Sequence, residues 1–169
     1  MPQGFNVSQI YLDHNATTPL RAEVLEEMLP YLTGNFGNPS SVHWAGRAVS
    51  GALETARERV AALINATPSE IVFTSCGSEA DNFAIKGAAS ALRAKGRHII
   101  TTVVEHPAVL ESCQSLENLG WQVSYLPIDD EGHLSLTQLE SLICDETVLI
   151  STMWANNETG TLFPIARIG

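Results

Sequence analysis

The residues best suited to chemistry lie where a short apolar run passes through a polar turn into a helix. The run IVFT at 71–74 predicts a strand, and the turn SCGS at 75–78 leads into a helix predicted from about 78 to 94. Backbone N–H groups at a helix start lack partners within the helix and carry partial positive charge, so such a turn can hold a phosphate. Serine is also a common N-cap residue, so Ser75 or Ser78 could simply cap the helix. The turn alone leaves both interpretations open.

Two more polar clusters follow predicted strands. Glu105 and His106 come after a strand predicted at 98–103, and ANNETG at 155–160 follows a strand predicted at 148–153. Parallel sheets bind ligands beyond the carboxyl ends of their strands, so we expect the three clusters to converge on one crevice. An imidazole there could transfer protons near neutral pH. The ordinary alternatives are a histidine that caps a helix and asparagines that form a turn.

The elements that must position these clusters alternate along the chain. Apolar periodicity predicts further helices at 21–32, at 108–119 and at 135–143, and a long helix that ends near residue 64. It also predicts further strands at 10–12 and 121–126. Such alternation predicts an α/β fold with a mainly parallel sheet flanked by helices. Three helices are expected to bury one face each: Val24, Leu25, Met28, Leu29 and Leu32 in the first; Val49, Leu53, Ala56, Val60 and Leu63 in the second; and a small-residue stripe of Ala80, Phe83, Ala84, Gly87, Ala88, Ala91 and Leu92 in the third.

Composition excludes several classes of function. The chain has 169 residues, about one domain, and its 44% hydrophobic content is typical of globular proteins. A net charge of −10 argues against nucleic-acid and anionic-membrane partners. No apolar run approaches the roughly 20 residues of a membrane span, and the start, whose residues 1–9 are expected to be frayed or a leader, lacks a signal-peptide pattern. Three separated cysteines, Cys76, Cys113 and Cys144, argue against a disulfide framework or a metal site and favour a reducing cytoplasm.

Five motifs in order together resemble the cysteine desulfurases. They are YLDHNATT at 11–18, FGNPSS at 36–41, FTSCGSE at 73–79, VEHPAVL at 104–110 and MWANNETG at 153–160. The resemblance covers nearly the whole chain from residue 10. It is closest to the nitrogen-fixation (NifS) type, in which a cysteine at position 76 and the wording WANNETG are familiar.

This resemblance implies an incomplete large domain of a pyridoxal-phosphate enzyme with the aspartate-aminotransferase fold (fold type I). The family removes sulfur from L-cysteine to leave L-alanine and passes it, as a persulfide on a cysteine, to iron–sulfur assembly partners. By the same resemblance Gly77 and Ser78 would hold the cofactor phosphate. His106 would stack on the cofactor ring and help to move protons, Asn157 would contact the ring and substrate, and full-length members are homodimers.

The resemblance also implies what to expect of the chain's limits. Residues 1–20 would be an N-terminal segment and 21–169 the first part of the large domain, because family members are more than twice as long. The lysine that binds the cofactor covalently and the sulfur-carrying cysteine would lie downstream, so Cys76 is expected to be a neighbour of the phosphate rather than the nucleophile. Lys86 and Lys95 are not placed like that lysine, so this chain alone is predicted to be inactive. A non-catalytic remnant or interaction module, a selenocysteine lyase and an aminotransferase remain alternatives.

Overall fold

The computed structural model describes residues 10–169, which fall into two compact units, one ending at Phe73 and one beginning at Thr74. The predicted leader at 1–9 lies outside the described residues. The predicted boundary at residue 20 stays a prediction. No described helix is long and apolar enough to cross a membrane.

The first unit is helical. It contains α1 (Ala22–Thr33), α2 (Trp44–Leu63) and a short 3₁₀ turn at Pro68–Glu70, so both predicted helices are confirmed. The strand predicted at 10–12 is wrong. These residues lead into a turn, where the Tyr11 hydroxyl donates hydrogen bonds to the carbonyl oxygens of Asp13 and Thr17 at 2.8 and 3.0 Å.

The apolar faces predicted for α1 and α2 are largely exposed. All five α1 residues of the predicted face are exposed, and α1 has no buried residue. In α2 only Val49 and Leu53 of the predicted face are half-buried, whereas Leu63 is 83% exposed. An amphipathic pattern predicts which face can be buried, but burial also needs a packing layer. The described part of this unit contains no sheet against which α1 and α2 could pack, so their apolar faces stay largely exposed.

Two glycines let the loop before α2 pack against the helix. A side chain on Gly37 would collide with the carbonyl of Ala45, and one on Gly46 would collide with the carbonyls of Asn38 and Ser41. Gly46 is buried in the first turn of α2. The glycines of the FGNPSS loop and of the helix start are therefore required by close backbone approach.

The second unit is an α/β sandwich built on a parallel sheet. In chain order its elements are α3 (Gly77–Leu92), β1 (His98–Thr102), α4 (Pro107–Glu117), β2 (Gln122–Leu126), α5 (Leu136–Leu142), β3 (Thr147–Ser151) and α6 (Ile165–Ile168). The strands are parallel in the order β2-β1-β3. The predicted alternation of elements and the parallel sheet are confirmed.

The strand predicted at 71–74 does not join a sheet among the described residues. Ile71 has the expected extended backbone, with φ −94° and ψ 124°. Its carbonyl oxygen accepts a hydrogen bond from the Arg57 guanidinium, which also lies 5.1 Å from the centre of the Phe73 ring. The prediction fails because an apolar extended run becomes a strand only when a neighbouring strand pairs with it.

The core of the second unit lies on both faces of the sheet. On one face Ile99 packs in a cluster with Ile85, Val109 and Leu116 of α3 and α4. On the other face the next residue, Ile100, packs with Leu126 and Leu139 and with partly buried residues of α5. Because successive strand residues point to opposite faces, β1 is buried at all five positions and anchors both layers.

The face of α3 that packs inward is not the predicted one. Its two buried residues are Ile85 and Ala89, spaced four apart, and α3 packs against α4 and β3. Of the predicted small-residue stripe, only Ala88 and Leu92 are half-buried, and Phe83 is 61% exposed. The helix has apolar residues on two faces, and periodicity alone could not tell which one packs on the sheet.

Candidate active site

Three polar segments lie at the carboxyl edge of the sheet. The starts of α4 and of the segment after β3 follow the ends of neighbouring parallel strands. Helix α3 begins at the same edge. Its C-terminal end is joined by only five residues, 93–97, to the start of β1, which is at the opposite edge of the sheet. Because its 16 residues span about 24 Å, its first turn lies back at the carboxyl edge. Asp81 in α3 is close enough to Glu105 to raise that carboxyl's pKa.

The start of α3 is organised by Glu79 rather than by a serine cap. The Glu79 carboxylate accepts hydrogen bonds from the backbone N–H and the hydroxyl of Ser75, at 2.5 and 2.7 Å. The backbone N–H of Ser75 is the larger cause of the lowered pKa of Glu79. The N-cap residue is Cys76, which makes no side-chain cap hydrogen bond. The serine-cap interpretation is therefore wrong for Ser75, whose hydroxyl donates to Glu79.

Cys76 is an exposed thiol at the N-terminus of α3. Its pKa is lowered, first by the backbone N–H of Glu79 and next by the Ser75 hydroxyl. Cys113 differs from it: it lies in α4, is buried in the core, and burial raises its pKa to about 11. Cys113 is thus a packing residue, while the lowered pKa of Cys76 agrees with the preference of a helix N-terminus for negative charge.

The donor set at this helix start fits a phosphate group. Gly77 and Ser78 are the first two residues of α3, both exposed, so their N–H groups precede the first intrahelical hydrogen bond, from Ala80 to Cys76. The position of a Gly77 Cβ has no atom within 4 Å, so a ligand can approach the backbone closely. The Ser78 hydroxyl adds another donor type suited to phosphate oxygens.

His106 is the N-cap of α4. Its Nδ1 accepts a hydrogen bond from the backbone N–H of Ala108 at 3.1 Å, so the proton of the neutral ring is on Nε2. The ring is exposed, and Pro107 at the first helical position fixes the backbone after it. His106 thus caps the helix, which was one of the two interpretations left open by the sequence. The same hydrogen bond orients the imidazole and leaves its Nε2–H unused by the helix.

Glu105, beside His106, is a buried carboxyl. It is 7% exposed, and its Oε1 accepts hydrogen bonds from the Thr102 hydroxyl at 3.0 Å and from the backbone N–H of Met153 at 2.8 Å. Burial raises its pKa, opposed by these two hydrogen bonds. Nothing in the sequence indicated that this carboxyl is buried.

Asn156 and Asn157 have different roles. The Oδ1 of Asn156 accepts from the backbone N–H groups of Glu158 and Thr159 at 2.9 and 3.0 Å, and its Nδ2 donates to the carbonyl of Val104 at 3.4 Å. Asn156 therefore builds the loop and ties it to the end of β1. Asn157 is exposed and its Nδ2 donates to Glu158 at 2.9 Å. Turn preference did not separate these neighbours, because both fit it, and only the resemblance singled out Asn157.

The chain's two lysines lie away from this edge. Lys86 is half-buried in the third turn of α3, and Lys95 follows its C-terminal end, near the opposite edge of the sheet. Within residues 10–169, no group of three or more histidine, cysteine or acidic side chains is placed to hold a metal ion. The described site is therefore one of N–H donors, an imidazole and an amide.

The chain belongs to the class-V aminotransferase family, whose model matches residues 10–169. Within that class, the chain is similar to proteins named as cysteine desulfurases. It is 54% identical over 161 residues to the cysteine desulfurase IscS of Clostridium botulinum, covering 95% of this chain and 41% of that protein. The chain thus spans less than half the length of this relative.

Solved structures agree with the fold. A NifS-like protein matches 95% of this chain and 44% of its own, with a TM-score of 0.90 and 42% identity. A structure described as SspA in complex with cysteine matches 92% of this chain and 45% of its own, with a TM-score of 0.85 and 42% identity. These matches confirm the predicted resemblance and the predicted α/β fold with its parallel sheet.

Proposed function

We propose that this chain supplies the phosphate- and ring-binding part of a pyridoxal-phosphate-dependent cysteine desulfurase. The whole enzyme would convert L-cysteine to L-alanine and keep the sulfur as a persulfide on a cysteine side chain. The observation that carries the proposal is the single edge of the sheet at which the α3 N-terminus, His106 and the Asn156 loop all lie. The similarity to proteins named as cysteine desulfurases supports the same reaction.

The residues of this chain would hold the cofactor at three places. The N–H groups of Gly77 and Ser78 would bind the phosphate, as their position at a helix N-terminus favours. The His106 ring, oriented by its hydrogen bond from Ala108, would stack on the cofactor ring and present its Nε2–H for proton transfer. Asn157 would contact the ring and the substrate. The bound cofactor supplies an electron sink for the bonds at the substrate's α-carbon.

We infer that turnover needs residues outside these 169. Lys86 lies eight residues, about 12 Å along the helix axis, beyond Ser78, and Lys95 lies near the other edge of the sheet. Neither is placed to bind a cofactor whose phosphate is at the start of α3. Cys76 is at the phosphate turn itself, so the sulfur-carrying thiol would also lie elsewhere.

The remaining parts of the proposal concern the whole protein. We propose that the whole protein is a cytoplasmic homodimer, that an iron–sulfur scaffold protein accepts its sulfur, and that it belongs to the nitrogen-fixation type. Their support is the resemblance in the five motifs and, for the cytoplasmic location, the three separated cysteines.

Transfer of this chain into a complete enzyme tests the proposal. We expect a chimera, in which these residues are followed by the remaining residues of the C. botulinum relative, to bind pyridoxal phosphate and release alanine from L-cysteine. The chain alone should release none. The assay should quantify alanine and 2-oxo acids with both L-cysteine and L-selenocysteine, so that an aminotransferase or a selenocysteine lyase is recognised.

Two outcomes would contradict the proposal. A folded chimera that binds the cofactor but releases no alanine from L-cysteine would leave a non-catalytic role for this part. Turnover by the 169-residue chain alone would mean that Lys86 and Cys76 act in catalysis after all.

The phosphate site itself can be tested on the chain alone. We expect Gly77→Ala to weaken pyridoxal phosphate binding about tenfold or more, because a methyl group would stand between the backbone and the phosphate. No atom lies within 4 Å of the new Cβ, so the substitution should not impair folding. Titration followed by tryptophan fluorescence measures the affinity, and circular dichroism checks the fold.

Gly87→Ala is the matched control, since it lies in the same helix and its Cβ also meets nothing within 4 Å. It should bind the cofactor like the parent chain. Pyridoxal, which lacks the phosphate, should bind both variants equally. Equal affinity of Gly77→Ala and Gly87→Ala for pyridoxal phosphate would place the phosphate elsewhere.

A further inference from the structure

Glu105 is a buried carboxyl that joins the two strand ends of the candidate site. Through Oε1 alone it accepts from Thr102, the last residue of β1, and from the backbone of Met153, two residues past β3. The distances are 3.0 and 2.8 Å, and the side chain is 7% exposed. One oxygen atom therefore links the exit of β3 to the exit of β1, in addition to the pairing of the two strands.

The two segments joined in this way carry the proposed ring contacts. His106 is the next residue after Glu105, and Pro107 restricts the backbone that follows it. Asn157 lies four residues after Met153, in the loop that Asn156 ties to Val104. A change in the Glu105 hydrogen bonds would therefore be expected to move one contact relative to the other.

Burying this carboxyl is unfavourable for folding. No ion pair joins Glu105 to a cationic side chain within the described part of the chain, whose ion pairs involve other residues. The titratable groups that face it are Asp81 of α3 and Cys113 of α4, and Asp81 disfavours its charge. Burying an acid that is held only by two donors costs folding free energy, so a role at the site would account for its presence here.

We propose that Glu105 is a positioning residue that sets the location of Asn157 relative to His106 through the two hydrogen bonds accepted by Oε1. This inference rests on the proposed function, since it assigns Glu105 a purpose at the same cofactor site. Glu105 touches neither cofactor nor substrate in this role. What matters is an acceptor oxygen at the length of a glutamate side chain, not the negative charge.

Two substitutions separate the acceptor from the charge. Glu105→Gln keeps an oxygen of the same reach, whereas Glu105→Ala leaves two donors without their acceptor. In the 169-residue chain we expect the dissociation constant of pyridoxal phosphate to rise about tenfold or more for Glu105→Ala, as for other buried donors left unpaired. For Glu105→Gln it should stay within about threefold of the parent value.

Trp154 reports the loop position independently of the ligand. It follows Met153 and is 75% exposed, and it is one of three tryptophans. In chain labelled with 5-fluorotryptophan, we expect the ¹⁹F resonance of Trp154, assigned with Trp154→Phe, to shift in Glu105→Ala and to stay in place in Glu105→Gln. The buried Trp121 resonance is an internal check that the core is intact.

The pH dependence of the unfolding free energy tests whether the Glu105 carboxyl is buried in the folded chain. Because the pKa of Glu105 is raised in the folded state, the folded chain binds more protons there than the unfolded chain above pH 4.5, the ordinary glutamate value. The stability contributed by this group is therefore lost as pH rises through the folded pKa. We expect the unfolding free energy of the parent chain, relative to Glu105→Gln, to fall from pH 4 to neutrality.

Three results would overturn the inference. The first is normal cofactor affinity in Glu105→Ala, which would show that the strand-end geometry does not matter. The second is equal impairment in Glu105→Gln and Glu105→Ala, which would make the charge, not the acceptor, the important property. The third is a parent chain and chimera that both fail to bind pyridoxal phosphate, which would end the proposed function and this inference together. Either of the first two leaves the proposed function intact.

Discussion

Replacing Gly46 by alanine is expected to lower the free energy of unfolding by about 2–4 kcal/mol. The new methyl group would collide with the backbone carbonyls of Asn38 and Ser41. Backbone atoms cannot move aside as a flexible side chain can, so the loop and the first turn of α2 must separate. Urea unfolding followed by the fluorescence of Trp44, the first residue of α2, in a background with Trp121→Phe and Trp154→Phe measures the change.

Gly51→Ala in the same helix provides the control with the opposite sign. A Cβ at Gly51 meets nothing within 4 Å, so only helix propensity changes. We expect a gain of about 0.5–1 kcal/mol there. If Gly46→Ala were as stable as Gly51→Ala, the close approach of the 36–41 loop to α2 would not exist in solution.

The elements of the second unit were predictable because each carries its own local signal. The apolar run that becomes β1 and the Ser135 cap of α5, whose hydroxyl oxygen accepts from Gln138 at 3.2 Å, are both readable in sequence. The segment at 71–74 carries the same kind of signal and forms no strand. Pairing depends on residues distant in sequence, which a local pattern does not contain.

The candidate site shows a similar division. The order of strands and motifs predicted that Gly77, His106 and Asn157 follow elements ending at one edge of the sheet. Sequence did not show that Glu105 is buried or that its carboxyl binds the backbone of Met153, 48 residues away. Contacts of this range depend on how the strands pack, and a glutamate is ordinarily exposed.

Replacement of His106 is expected to reduce alanine release by the chimera about 100-fold or more, the usual range for loss of a group that transfers protons. The structure complicates the simplest variant, because His106 also caps α4 through the N–H of Ala108. In His106→Ala both functions are lost. The helix cap alone contributes about 1 kcal/mol to stability, so a fall in activity could reflect local unfolding.

His106→Asn separates the two functions, because asparagine is among the best N-cap residues and has no aromatic ring. We expect His106→Asn to unfold at the parent urea concentration and His106→Ala to unfold earlier, while both lose turnover to the same extent. Steady-state alanine release and urea unfolding of the same preparations measure the two quantities. Recovery of turnover in His106→Asn would show that position 106 serves only the helix. Equal losses would show that the ring acts on the cofactor, with its cap holding Nε2 toward the site.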